Sequence, residues 1–137
     1  HMMVSGTVDL MCSSGFDHSE LGRVREAVWH AQYMGRIGNL ITTWERELAD
    51  RDFTSGIYAF ALQEGILEVG DLFDADRDTL RKKLVSHDCE SYFLNRWRSH
   101  RDQLLALAPI VRTVDLRALV AGLERLIQLH LGSRGLK

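Results

Sequence analysis

The chain has 137 residues, 45% hydrophobic and 26% charged, which is the usage of one globular domain with one core and excludes an intrinsically disordered chain. Its net charge of −2, with the two signs interleaved, excludes the clustered basic face that nucleic-acid binding needs. No apolar run approaches the roughly 18 residues of a membrane span.

In chain order, His1-Met2 reads as a cloning remnant ahead of Met3, and the first fifteen residues lack the basic start and apolar run of a secretion signal. Residues 1–16 as a whole, rich in serine and glycine from Met3 on, are expected as an extended entry or the frayed end of a helix. A single all-α domain is expected over 17–137. Asp17 is an N-cap candidate with Glu20 at capping-box spacing. No stop signal follows until about Asp50, so the pattern predicts one helix over 18–50, roughly 50 Å long at about 1.5 Å per residue.

Thr54-Ser55-Gly56 breaks the chain and can cap a helix over Ile57–Glu64. Gly65 and Gly70 punctuate the next stretch, and Asp74 is expected to cap a short helix from Asp76 to about Val85. A fourth runs from Asp88 to Leu107 and ends before Pro109. Thr113 or Asp115 caps the last, whose stripe is Leu116, Leu119, Leu123, Leu126, Ile127 and Leu131. The expected fold is an antiparallel bundle of about five helices. Cys12 and Cys89 form no close pair and read as two reduced thiols of a cytoplasmic protein.

Chemistry concentrates on the long helix. Residues four apart on a helix differ by about 40°, so Asn39, Thr43 and Glu47 form one stripe, with Arg36 and Arg46 in the same sector. An amide, a hydroxyl and a carboxylate are hard oxygen donors of the kind magnesium shares with phosphates and water. Guanidinium groups beside them suit phosphate oxygens. Gly35 and Gly38 lie inside the helix, each at a cost of about 0.8–1 kcal/mol against alanine. They imply close approach by another helix or by a ligand.

The run Arg36-Ile37-Gly38-Asn39-Leu40-Ile41-Thr42-Thr43-Trp44-Glu45-Arg46-Glu47 resembles the second metal-binding motif of class I terpene synthases, Asn-Asp-x-x-Ser/Thr-x-x-x-Glu with a basic residue before the glutamate. The resemblance extends through Asp52-Phe53-Thr54-Ser55-Gly56 and covers about residues 9–137, the C-terminal part of such a catalytic domain. It implies that Asn39, Thr43 and Glu47 are magnesium ligands and that Arg46 contacts the diphosphate. Leu40 stands where many members have an aspartate that is not the usual ligand. Ser133-Arg134-Gly135 stands where members often carry Arg-Tyr, so Arg134 joins Arg46 and Arg36 as a diphosphate candidate, with glycine in place of the tyrosine.

The implied activity is ionisation of a prenyl diphosphate by magnesium, followed by carbocation cyclisation, a carbon–oxygen lyase reaction. The family's aspartate-rich motif lies on an earlier helix and has no counterpart here, so the resemblance implies a fragment or split enzyme. A missing N-terminal half or partner chain would complete it, and the chain alone would be inactive and would self-associate. The competing readings are a non-catalytic protein–protein interaction module and a solvated ion-pair network of Arg36, Glu45, Arg46 and Glu47. Asp71 to Asp78 reads as capping and solvated charge. His30 reads as a packing histidine, while Trp29, Tyr92, Phe93 and Trp97 are expected in the core. Tyr33 and Trp44 either pack in the core or line a hydrocarbon cavity.

Overall fold

In the computed structural model, which describes residues 2–134, the chain folds into seven α-helices, with no strand among the described residues. They are α1 (Met2–Met11), α2 (Leu21–Ala49), α3 (Gly56–Gln63), α4 (Val69–Asp74), α5 (Arg77–Ser86), α6 (Cys89–Leu107) and α7 (Leu116–Gly132). The long helix is present without interruption, preceded by one 3-10 turn over His18–Glu20. Asp17 caps that turn by accepting from the Ser19 N–H at 2.9 Å. Glu20 does not close a capping box there. Its carboxylate reaches across to the α6–α7 connection and accepts from the N–H groups of Arg112 and Thr113, both at 3.0 Å, and from the Thr113 hydroxyl at 2.6 Å.

Two corrections concern elements. The entry segment, expected to be extended or frayed, is helical over α1 and packs on α2. Leu10 joins the main apolar cluster, and a Cβ on Gly6 would fall 4.0 Å from Val28 Cγ1, so tertiary packing overrides a poor helical composition. The Gly70 region, expected only as punctuation, forms α4, held by a reciprocal box in which Glu68 accepts from the third helical N–H and Asp71 accepts from the Glu68 N–H at 2.8 Å. Asp76, rather than Asp74, caps α5 as an acceptor for Thr79, since Asp74 closes α4, and Asp115 caps α7 as an acceptor for Ala118.

α2 is the spine. α6 runs antiparallel to it, since His30 meets His100 at one end and Trp44 meets Glu90 at the other. α7 returns alongside both, with Gly38 facing Ile127 and His130. The apolar residues form two clusters. One gathers Val24, Met34, Ile41, Trp97, Leu104 and Val120 between α2, α6 and α7. The other gathers Trp44, Ile57, Tyr58, Leu80, Leu84 and Cys89 under α3 and α5, and Leu40 and Phe93 touch both. The α7 stripe is turned from its expected centre: Leu116, Val120 and Ile127 are buried, while Leu126 and Leu131 are about two-fifths exposed. Trp29 and Tyr92, expected in the core, are likewise partly exposed. No helix among the described residues is long and apolar enough to cross a membrane.

Candidate functional site

α2, α3 and α6 enclose an open groove of about 1000 Å3. Along α2 it runs from Gln32 to Glu47, roughly 22 Å at about 1.5 Å per residue. Arg36, Asn39, Thr43 and Glu47 all line it, so the structure gathers four of the six residues singled out from the sequence into one concavity. The opposite wall is aromatic. Phe60 of α3 stacks on Tyr92 of α6 at 4.0 Å between ring centroids, and Phe93 meets both edge-on. Arg96 closes that wall, donating to the Tyr92 hydroxyl at 3.0 Å.

The polar stripe is internally bonded. The Thr43 hydroxyl lies 2.7 Å from Glu47 Oε1 and 3.0 Å from the Asn39 carbonyl oxygen. With one proton to give, it serves one acceptor at a time and keeps its own lone pairs uncommitted. Glu47 Oε2 is buried and has no hydrogen-bond partner among the described residues. A buried carboxylate oxygen without a donor is costly, and that oxygen is the strongest local signal for a missing cation or donor. The oxygen-bearing side chains of α2 on this groove that could serve a hard cation include Asn39, Thr43 and Glu47. Glu47 is the only carboxylate lining the groove among the described residues, and no cluster of three or more histidine, cysteine or acidic side chains suited to a metal occurs among them. One helix thus offers half of an octahedral shell at most.

The rim follows from local sequence. Asp52 accepts from the Thr54 N–H and hydroxyl at 3.0 and 2.7 Å, and these bonds hold its carboxyl below the ordinary carboxylate range. The turn they fix brings Ser55 and Gly56 against α2. A Cβ on Gly56 would fall 3.1 Å from Leu40 Cδ1, so glycine here permits the close crossing of α2 and α3. Beneath the rim, Tyr58 donates to the Trp44 carbonyl at 2.9 Å. Burial, reinforced by the charges of Glu47 and Asp52, pushes its phenol far above the usual value and keeps it protonated.

No protein family, curated protein or solved structure matches this chain.

Two candidates lie elsewhere. Arg46 is exposed and makes no ion pair among the described residues. The α2 side chains lining the groove centre about 90° round the helix from it, at about 100° per residue. Arg134 is engaged behind the groove, where its guanidinium donates to the Ile41 carbonyl and to Glu90 Oε1, the latter at 2.6 Å. Glu90 Oε1 also accepts from Trp44 Nε1 at 2.6 Å. Of the four residues proposed as a solvated ion-pair network, only Glu45 makes an ion pair among the described residues, with Arg81 of α5 at 3.3 Å. Trp44 is core rather than cavity lining, whereas Tyr33 lines the groove. Gly38 faces α7, so its close approach is to a helix. Sequence reasoning missed Gln32, which falls in the sector of the stripe, two turns before Asn39. It also missed Phe60, Tyr92 and Arg96, which only the pairing of α6 and α3 with α2 brings there.

Proposed function

We propose that this groove is the magnesium and diphosphate half-site of a class I terpene synthase, holding the polar head of a prenyl diphosphate beside an aromatic wall suited to its hydrocarbon. The observation that carries the reading is the partnerless, buried Oε2 of Glu47 beside Thr43 and Asn39 in one groove. Those three residues would hold the cation. A metal bound there would supply electrostatic stabilisation of the diphosphate as it leaves. Arg36 and Arg96, on opposite walls, would bind and orient phosphate oxygens, and Phe60, Tyr92 and Phe93 would exclude water from the apolar end. Arg46 and Arg134, diphosphate candidates by sequence, would have to turn or be released to reach it.

With a single carboxylate on the groove, the aspartate-bearing half of the site would come from outside the described residues. The metal would then bind only together with phosphate. A reducing, cytoplasmic setting is supported by the two unpaired cysteines.

The test is calorimetry on the chain with magnesium and inorganic pyrophosphate. We expect weak joint binding, little binding of either alone, and no prenyl diphosphate turnover. Glu47→Gln should abolish the joint signal; an unchanged signal in Glu47→Gln and Asn39→Ala would overturn the reading. In a completed enzyme, loss of that metal contact should lower the rate about a hundredfold or more, equivalent to roughly 3 kcal/mol.

A second reading, a non-catalytic interaction module, draws support from α7. Leu129 is 69% exposed and borders a second concavity of about 770 Å3 between α6 and α7, floored by Trp97 and Ile127. Apolar faces of this kind suit a protein partner or a second copy.

A further inference from the structure

His30 on α2 and His100 on α6 are buried, 4% and 6% exposed, and neither belongs to the polar stripe of the groove. Their Nδ1 atoms are 2.9 Å apart. At that distance one ring donates from Nδ1 and the other accepts through a bare Nδ1. The bond survives a first proton on the pair but not a second. Two imidazolium rings in contact inside an apolar interface would be strongly unfavourable. Trp29 packs edge-on to both rings, at 4.9 and 5.4 Å. Tyr33 stacks on His100 at 5.0 Å and 19°, and the same Tyr33 lines the groove. One ring is therefore both a wall of the groove and a cover of the histidine pair.

We propose that the His30–His100 pair is an acid-sensitive latch joining α2 to α6, and that releasing it loosens the Tyr33 end of the groove. The inference is independent of what the groove binds. The charges acting on the imidazoles are Glu26 of α2, which favours protonation of His30, and Arg96 of α6, which opposes protonation of His100. From α1 and α7, packed on other sides of α2, no charged group of the described residues acts on either ring. Burial holds both rings below the ordinary histidine value, and for His100 the neighbouring His30 and then Arg96 lower it further. The unfolded chain therefore takes up these protons first. Stability from the pair is complete above about pH 6.5 and is lost as the pH falls from there through the folded values. Over that interval the unfolding constant should rise up to about tenfold per pH unit for each proton, hence about a hundredfold for two.

The experiment compares wild type with the double variant His30→Asn/His100→Asn, which keeps a hydrogen-bonding amide near each Nδ1 but cannot titrate. Urea unfolding is followed between about pH 7.5 and 4.5, alongside proton NMR of the histidine and Tyr33 rings. We expect the wild type to lose stability below about pH 6.5 with the steep slope above, and the variant to lack that part of the slope. Tyr33 should shift in wild type with the midpoint of the pair. Equal slopes in the two proteins would overturn the proposal. If the variant does not fold, the wild-type spectra decide alone. Depressed titrations of His30 and His100 that Tyr33 follows support the latch; two independent titrations near 6.5, or a Tyr33 that does not move with the pair, refute it.

Discussion

Glu90 carries more structure than its position near the start of α6 suggests. One oxygen accepts from the indole of Trp44 and from the guanidinium of Arg134, each at 2.6 Å, and so ties α6 to α2 and to the end of the described chain. Both side chains of the ion pair are less than one-third exposed, so screening by water is incomplete. Removing the acceptor leaves two donors unsatisfied, and Glu90→Ala should cost about 2 kcal/mol. Glu90→Gln, which keeps an acceptor for Trp44, should cost less. The urea midpoints of the two variants check this: equal losses would mean that the charge, not the acceptor, matters. The pairing also engages Arg134, a diphosphate candidate by sequence, so that it would have to leave Glu90 to meet a phosphate. Nothing in Ser133-Arg134 signals a carboxylate 44 residues upstream.

At the scale of elements, the interior glycines of α2 separate packing from binding. A Cβ on Gly38 would make ordinary contact with His130 and Ile127, at 3.6 and 4.0 Å, whereas a Cβ on Gly35 would meet nothing within 4 Å. Gly35 also lines the groove. Gly35→Ala should therefore raise stability by about 1 kcal/mol through helix propensity alone. If a ligand must approach the backbone there, the same change weakens magnesium–pyrophosphate binding while the melting temperature rises. A fall in melting temperature would show that the alanine is not accommodated. Helix positions were legible because Asp115 and Thr54-Ser55-Gly56 carry local start and stop signals, and because no breaker falls in α2; the cap of α5 was less so, since Asp74 and Asp76 offer the same chemistry two residues apart. The α2 half of the groove was legible for the same reason, since helical phase is fixed by spacing. The half from α3 and α6 was not, because Phe60, Tyr92 and Arg96 become neighbours of α2 only through long-range pairing. α1 escaped notice because its packing on α2, not its composition, makes it a helix.

On the scale of the whole molecule, α2 belongs to both apolar clusters, and the three most extensive helix–helix interfaces, with α6, α7 and α1, all involve it. The one polar clasp at its start is Glu20, which receives two N–H groups and a hydroxyl from residues 112–113. These bonds, the Thr113 hydroxyl first, hold its carboxyl below the ordinary glutamate range. Their contribution is therefore present above the unfolded value and is lost as the pH falls through the folded one. The clasp closes a loop of more than 90 residues, and the loop-closure entropy is recovered only once α2, α6 and α7 are docked. On that ground the clasp is expected to form late in folding, after the barrier. Glu20→Ala should consequently raise the unfolding rate by roughly tenfold and leave the folding rate almost unchanged, a low φ-value at a site of long sequence separation. Stopped-flow chevrons of the two proteins would differ only in the unfolding limb. The lifetime of the folded state, rather than the speed of reaching it, is then what this single carboxylate governs.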